Sequence, residues 1–309
     1  MNNILIAQFD EENGGNILCF ADKYFYIFSK NGGLITSFDC SFVQSSCINI
    51  LPYYRKDNLD HFFLIYTENI KEKLVISHYK MNSNTILLDS YIYDKPFYLD
   101  YTAININSPL FTCQIMNSEK NGNVVSCCYQ SYNTDLIVVQ SFDIENNLSE
   151  IEEYYSKTPI DNINMITSTI SPDKKNMLVC YSPTNGYGYC FIYNFDNNEI
   201  TNNNPYKEKC SSKYTTFQVK YFAQNEEYIF ICENINEKFT IIKFNKNFEK
   251  INLDEITKDN FEIANHFEFN SLTLTYDTNS EDYALIIDSK NEVDNNLKTN
   301  KFLITTDFS

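Results

Sequence analysis

The stretch from Ile170 to Glu199, ISPDKKNMLVCYSPTNGYGYCFIYNFDNNE, decides how the rest of the chain reads. Ser171-Pro172-Asp173 has turn chemistry, because proline presets φ and the Ser and Asp side chains can bond the backbone. Met177 to Tyr181 is a short apolar run, long enough for a buried strand and too short for a helix. Ser182 to Gly186 turns the chain, and Tyr189 to Phe195 returns it. Asp196-Asn197-Asn198 forms a second turn, of residues that tolerate left-handed backbone. The unit is strand, turn, strand, turn, strand, and it predicts a repeated antiparallel sheet.

Similar units recur on both sides. Asn3 to Phe9, Asn16 to Ala21, Tyr24 to Phe28 and Leu34 to Phe38 read as four short strands around polar or glycine turns. A second set runs Cys47 to Tyr54, His61 to Tyr66, Leu74 to Tyr79 and Thr85 to Tyr93. The third takes Leu110 to Met116, Val124 to Tyr129, Leu136 to Phe142 and Leu148 to Tyr154. The fourth opens with Met165 to Ile170, ahead of the strands of the quoted stretch. The fifth uses Thr215 to Phe222, Tyr228 to Cys232, Phe239 to Phe244 and Phe248 to Leu253. The sixth has three strands, Phe267 to Tyr276, Tyr283 to Ile287 and Lys301 to Thr306. Asp288 to Asn300 reads as a long exposed hairpin loop, and Glu145 to Ser156 and Asp254 to Ile263 as containing a helical turn each.

Aligned on their second strands, the sets place Cys19, Ile65, Cys128, Cys180, Ile231 and Ile286 in register, roughly 50 residues apart. Third strands end on an aromatic residue before a polar turn: Tyr79-Lys-Met-Asn, Phe142-Asp, Phe195-Asp and Phe244-Asn. The aromatic closes an apolar strand, and the Asp or Asn marks an outer hairpin.

Ser171-Pro-Asp-Lys-Lys175 before an apolar strand resembles the Ser-Pro-Asp-Gly-Lys turn between the first two strands of a blade in WD40-like and TolB/YVTN-like β-propellers. The resemblance covers one turn closely and the rest as rhythm. It implies an all-β fold, a six-bladed β-propeller of four-stranded antiparallel blades whose last blade is incomplete. On that reading residues 1–309 are a single propeller domain, and the missing fourth strand of the sixth set implies part of a longer chain or a ring with one three-stranded blade. Its blades span 1–41, 42–95, 96–157, 158–208, 209–258 and 259–309. No Gly-His or Trp-Asp signature accompanies the turn, so no binding residue is carried over.

Composition narrows the class. Apolar residues at 43% can fill a large core, and 24 Tyr with 24 Phe suit pleated, half-buried surfaces. Arg55 is the single arginine, and the wealth of Asn, Lys, Ile and Tyr reads as AT-rich coding sequence. The net charge of -17 excludes nucleic acid as an expected partner, because phosphate contacts need clustered Lys and Arg. No apolar run approaches the ~18 residues of a membrane helix, so no insertion by this segment is expected.

Ten cysteines and no Cys-x-x-Cys favour disulfides over zinc. Cys180 and Cys190 flank one turn symmetrically, and Cys113 and Cys128 flank another at Lys120 to Asn123. Cys190 with Cys210, and Cys40 with Cys47, are the rival pairings. Bridges of this kind place the chain outside the cell or on its surface, with a cytoplasmic location as the alternative. With the AT-rich bias, they also resemble extracellular modules of AT-rich protists. Asn147-Leu148-Ser149 is the lone glycosylation sequon.

No catalytic site, cofactor or metal site is expected. His61, His78 and His266 are the three histidines; His61 and His78 lie on successive strands and read as structural. Asp10 to Glu12 and Glu150 to Glu153 read as turn and surface carboxylates. The expectation is a non-catalytic module recognising a protein or glycan. Tyr53, Tyr54, Arg55, Tyr187 and Tyr206 are its candidate ligand surface. The alternatives are a glycosidase-like hydrolase with acidic residues in a central channel, or an intracellular scaffold.

Overall fold

A computed structural model describes residues 5–8, 16–21, 24–40, 48–55, 59–68, 73–81, 85–93, 111–119, 122–131, 135–156, 163–183, 186–200, 206–209, 217–222, 225–233, 238–257, 267–277, 282–291 and 297–304. The regular structure among them is all strand, with no helix.

The chain divides into two units, Met1–Ile160 and Asp161–Ser309. The first unit holds three antiparallel sheets, each a meander in chain order. These are β1 to β4 (Leu5–Gln8, Ile17–Ala21, Tyr24–Phe28, Leu34–Asp39), β5 to β8 (Ile48–Arg55, Leu59–Glu68, Lys73–Met81, Thr85–Tyr93), and β9 to β12 (Phe111–Ser118, Gly122–Gln130, Ile137–Asp143, Ser149–Tyr155). The first strands are neighbours, β1 beside β5 and β5 beside β9.

The second unit repeats the plan. Its fourth sheet contains β13 to β17 (Ile163–Ile170, Asn176–Pro183, Tyr187–Asn194, Glu199–Ile200, Tyr206–Lys209). The fifth contains β18 to β21 (Gln218–Phe222, Glu227–Glu233, Lys238–Asn245, Lys250–Thr257). The sixth contains β22 to β24 (Phe267–Asp277, Asp282–Asn291, Leu297–Ile304). Here β13 lies beside β18, and β18 beside β22. The Tyr221 N–H in β18 also donates to Thr169 Oγ1 in β13 at 3.1 Å.

The second sheet packs between the first and the third, and the fourth against the fifth, which explains the unbroken apolar runs. In β6, Phe62, Leu64 and Tyr66 join Leu18, Phe20, Phe25 and Ile27 of the first sheet. The alternate residues Phe63 and Ile65 join Val125, Cys127 and Tyr129 of the third. A strand covered on both faces needs apolar residues at every position, not every second one. Phe25 stacks on Phe62 at 5.0 Å, and Phe62 on Tyr79 at 5.1 Å. Full burial of such a side chain contributes roughly 1.5–3 kcal/mol. In the second unit Met165, Leu178, Cys180 and Ile192 meet Val219, Tyr228, Phe230 and Phe244 in the same way.

The aromatic residue at the end of the third strand marks a shift in register. The pairing of third and fourth strands slips at Ile27/Phe28, His78/Tyr79, Ser141/Phe142 and Lys243/Phe244. Such a bulge raises the local twist and bends the strand. The turns that follow are closed by side chains. Asp143 Oδ1 accepts the N–H of Glu145 at 2.8 Å and of Asn146 at 3.1 Å. Asn245 Oδ1 accepts from Asn247 at 2.9 Å and Glu249 at 3.0 Å, and Asn194 Oδ1 from Asn197 at 2.9 Å.

The Ser171 turn closes as its residues dictate. Ser171 Oγ donates to Asp173 Oδ1 at 2.5 Å and accepts the Asn176 N–H at 2.9 Å. Asp173 Oδ1 also accepts the Lys175 N–H at 3.0 Å. Lys174 takes φ 59°, the left-handed conformation for which the resembled turn carries glycine.

Several expectations need correction. The predicted loop over 288–300 is largely strand, since β23 runs to Asn291 and β24 begins at Leu297. Helical turns are absent where described: 149–155 is β12, and 250–257 is β21, with 258–263 outside the described residues. Cys113 pairs with Cys127, its direct partner in register, and not with Cys128. Counting outward from the turn misses by one residue, and one residue in a strand reverses the face. Cys128 is a free, buried thiol facing away from the disulfide. Cys19 is likewise out of step: Leu18 and Phe20 face the second sheet, so Cys19 does not.

Cys180 is bonded to Cys190 with Cα atoms 4.1 Å apart, the close spacing of a non-hydrogen-bonded pair. That bond removes the rival pairing of Cys190 with Cys210. Cys40 is free, which removes the pairing with Cys47. Cys47 and Cys210 lie outside the described residues. Cys232 is also disulfide-bonded.

Candidate binding edge of the fourth sheet

The candidate surface residues are divided between the two units, Tyr53 to Arg55 in the first and Tyr187 and Tyr206 in the second. Tyr53 is a core residue, 6% exposed, which corrects its assignment as a ligand anchor. Its hydroxyl donates to Glu145 Oε1 at 3.2 Å and accepts from Asn123 Nδ2 at 3.3 Å. It therefore joins the second sheet to the third. Tyr54 and Arg55 follow it in β5, and their side chains lie outside the described residues.

His61 and His78 meet in the core. Their Nδ1 and Nε2 atoms are 3.0 Å apart, within one hydrogen bond. His78 stacks on Phe63 at 4.5 Å, and Tyr53 meets the His61 ring edgewise at 6.2 Å. Each imidazole is enclosed by the seam between sheets, so the pair packs and bonds structure together. Among the described residues no group of three or more His, Cys, Asp or Glu is placed to hold a metal ion.

Tyr187 is at the start of β15, in the second unit, and is half-buried. It stands where the fourth sheet departs from the common plan. The outer edge there is split in two. Short β16 pairs with the far end of β15 through Tyr193↔Ile200 and Asn194↔Glu199. The near end pairs with β17 through Tyr187↔Lys209, Gly188↔Glu208, Tyr189↔Lys207 and Cys190↔Tyr206. Side chains alternate along strands, so Tyr187 and Tyr189 share one face of β15. Tyr206 lies in β17 opposite Cys190, and its side chain is outside the described residues. The two candidates Tyr187 and Tyr206 thus belong to one pair of strands.

Tyr189 is half-buried and stacks on Tyr181 at 5.4 Å with rings 15° apart. Tyr181 also approaches Phe191 at 6.0 Å. The Cys180–Cys190 disulfide ties β14 to β15 directly behind this aromatic row. Gly186 at φ 78° makes the turn into β15. Reading the sequence missed β17, because Tyr-Lys-Glu-Lys is short, charged and follows a polar run. Its alternation of Tyr and Glu with two lysines was the available signal.

No protein-family description matches the chain, and no curated protein matches it by sequence. Solved structures do match. AofleA from Arthrobotrys oligospora aligns over 99% of this chain and 87% of its own, at 10% identity and TM-score 0.57. A mutant of Aleuria aurantia lectin in complex with alpha-methyl-L-fucoside aligns over 99% and 96%, at 9% identity and TM-score 0.52. The Dos1 propeller aligns over 94% and 68%, at 9% identity and TM-score 0.52. At these identities the likeness is one of fold. The chain has a β-propeller-repeat architecture, built of antiparallel sheets in series.

Proposed function

We propose that the chain is a non-catalytic binding propeller, with a saccharide as its ligand, acting at the cell surface or outside the cell. We also propose that residues 1–309 are a single domain of six blades. The observation that carries the functional reading is the split edge of the fourth sheet. There, two half-buried tyrosines stand in a row on a disulfide-tied hairpin. Aromatic rings held rigidly and left partly open are the usual anchors of a recognition surface. A lectin of this fold bound to a methyl fucoside supports the choice of a sugar over a peptide.

The location rests on the disulfides Cys113–Cys127 and Cys180–Cys190, which persist in oxidising compartments. The remaining described thiols are poor nucleophiles. Burial and the neighbouring Asp39 charge push Cys40 up to about 12, and burial raises Cys19 and Cys128. A glycan array probed with the labelled full chain tests the function. Binding to a defined set of saccharides, lost on Tyr187→Ala with Tyr189→Ala, is expected. Binding to no saccharide would overturn the reading.

A further inference from the structure

We infer that Asn147, at the tip of the turn between β11 and β12, carries an N-linked glycan. The inference rests on the proposed location outside the cell, because the sugar is added along the same secretory route on which disulfides form. Asn147-Leu148-Ser149 is the one acceptor triplet in an asparagine-rich chain, and its middle residue is not proline.

The fold places the triplet where a bulky, hydrophilic group fits. Asn147 is exposed, as are Glu145 and Asn146 before it. Ile144 and Leu148, on either side of these three, are buried in the core that the second and third sheets share. Backbone bonds hold the turn between those two anchors: the Leu148 N–H donates to the Asp143 carbonyl at 2.8 Å, and the Ser149 N–H to that of Asn146 at 3.1 Å. Asn147 and Leu148 take φ of 54° and 56°, left-handed values that asparagine adopts more readily than most residues. The apolar neighbours turn inward and the asparagine is left at the surface, where a glycan meets water and displaces no packed group.

Turn geometry accounts for the asparagine and not for the serine. Asn198 holds the same left-handed conformation, φ 47°, in the matching turn of the fourth sheet. There the residue paired with the capping Asn194 is Glu199, whereas Ser149 pairs with the capping Asp143. The fold therefore accepts a charged side chain where the third sheet has the hydroxyl that an acceptor triplet requires.

The reaction joins Asn147 Nδ2 to C1 of the reducing-end sugar of a lipid-diphosphate-linked oligosaccharide. The bond from C1 to the diphosphate oxygen breaks, the lipid diphosphate leaves with the electron pair, and the amide gives up one proton to a base of the transferase. Nothing is oxidised or reduced.

Peptide mass mapping of the full chain, recovered from the cells that make it, tests the assignment. Digestion with peptide N-glycosidase in heavy-oxygen water should convert Asn147 to a labelled aspartate and shift the chain by one step on a gel. Ser149→Ala should abolish both signals, and Ser149→Thr, which keeps the hydroxyl, should retain them. Maleimide labelling of the same sample reads the cysteines. An unmodified Asn147 in a chain whose Cys113–Cys127 and Cys180–Cys190 bonds are intact would overturn the inference and leave the location standing. A label that survives Ser149→Ala would also overturn it, as deamidation without a glycan. An unmodified Asn147 with all ten cysteines reactive would overturn the proposed location together with the inference.

Discussion

The Tyr53 hydroxyl donates to the Glu145 carboxylate across the seam between the second and third sheets, at 3.2 Å. The bond spans 92 residues of sequence and links the end of β5 to the turn before β12. A buried ring carries the donor, so its loss has a cost even though the acceptor is near solvent. Tyr53→Phe should destabilise the chain by about 1 kcal/mol. Chemical denaturation measures this, and Tyr53→Phe with Glu145→Ala should cost less than the sum of the two single changes, because they share one bond.

Adjacent cysteines on β10 should behave differently. Replacing Cys113 and Cys127 together by Ala removes a bridge across 14 residues of sequence and should cost about 3 kcal/mol. Cys128→Ala removes a small buried side chain without a bridge and should cost about 1 kcal/mol. Denaturation curves under non-reducing conditions separate them. Equal costs would place the bridge wrongly.

Lys174 holds a left-handed backbone at φ 59° in the Ser171 turn. A side chain there costs about 1–2 kcal/mol, which glycine avoids at some loss of unfolded-state entropy. Lys174→Gly should raise stability by about 1 kcal/mol, read as a higher denaturation midpoint with the same slope.

Asp173 sets an acid limit on the same turn. Burial pushes its carboxyl up, but the Ser171 hydroxyl, the Lys175 N–H and the Lys175 charge pull it down further, to a net depression. A depressed group stabilises the fold above its unfolded value of about 3.9 and loses that contribution as pH falls through the lower folded value. The stability difference between the native chain and Asp173→Asn should therefore be full at neutral pH and vanish in strong acid. Melting curves across that range check it.

Much of the fold is written in short runs. Phe62 to Tyr66 has no alternation because both faces are covered, and its length alone separates strand from helix. Aromatic-then-polar strand ends such as Phe142-Asp143 located the outer hairpins, where a bulge and an Asp turn coincide. Register was harder to read. The choice between Cys127 and Cys128 depends on one residue of slip, which turn symmetry does not resolve. Tyr53 was misplaced because a tyrosine near a strand end looks alike whether its hydroxyl meets solvent or Glu145. The split edge of the fourth sheet is half visible: Tyr187 stands out, but β17 beside it is too short and charged to recognise.

Thermal unfolding of the full chain, beside residues 1–160 and 161–309 expressed separately, tests most directly whether the repeated sheets make one propeller. A single cooperative transition for the whole, with neither half folding alone, is the expected result. Two halves that each fold and melt as they do within the full chain would contradict it.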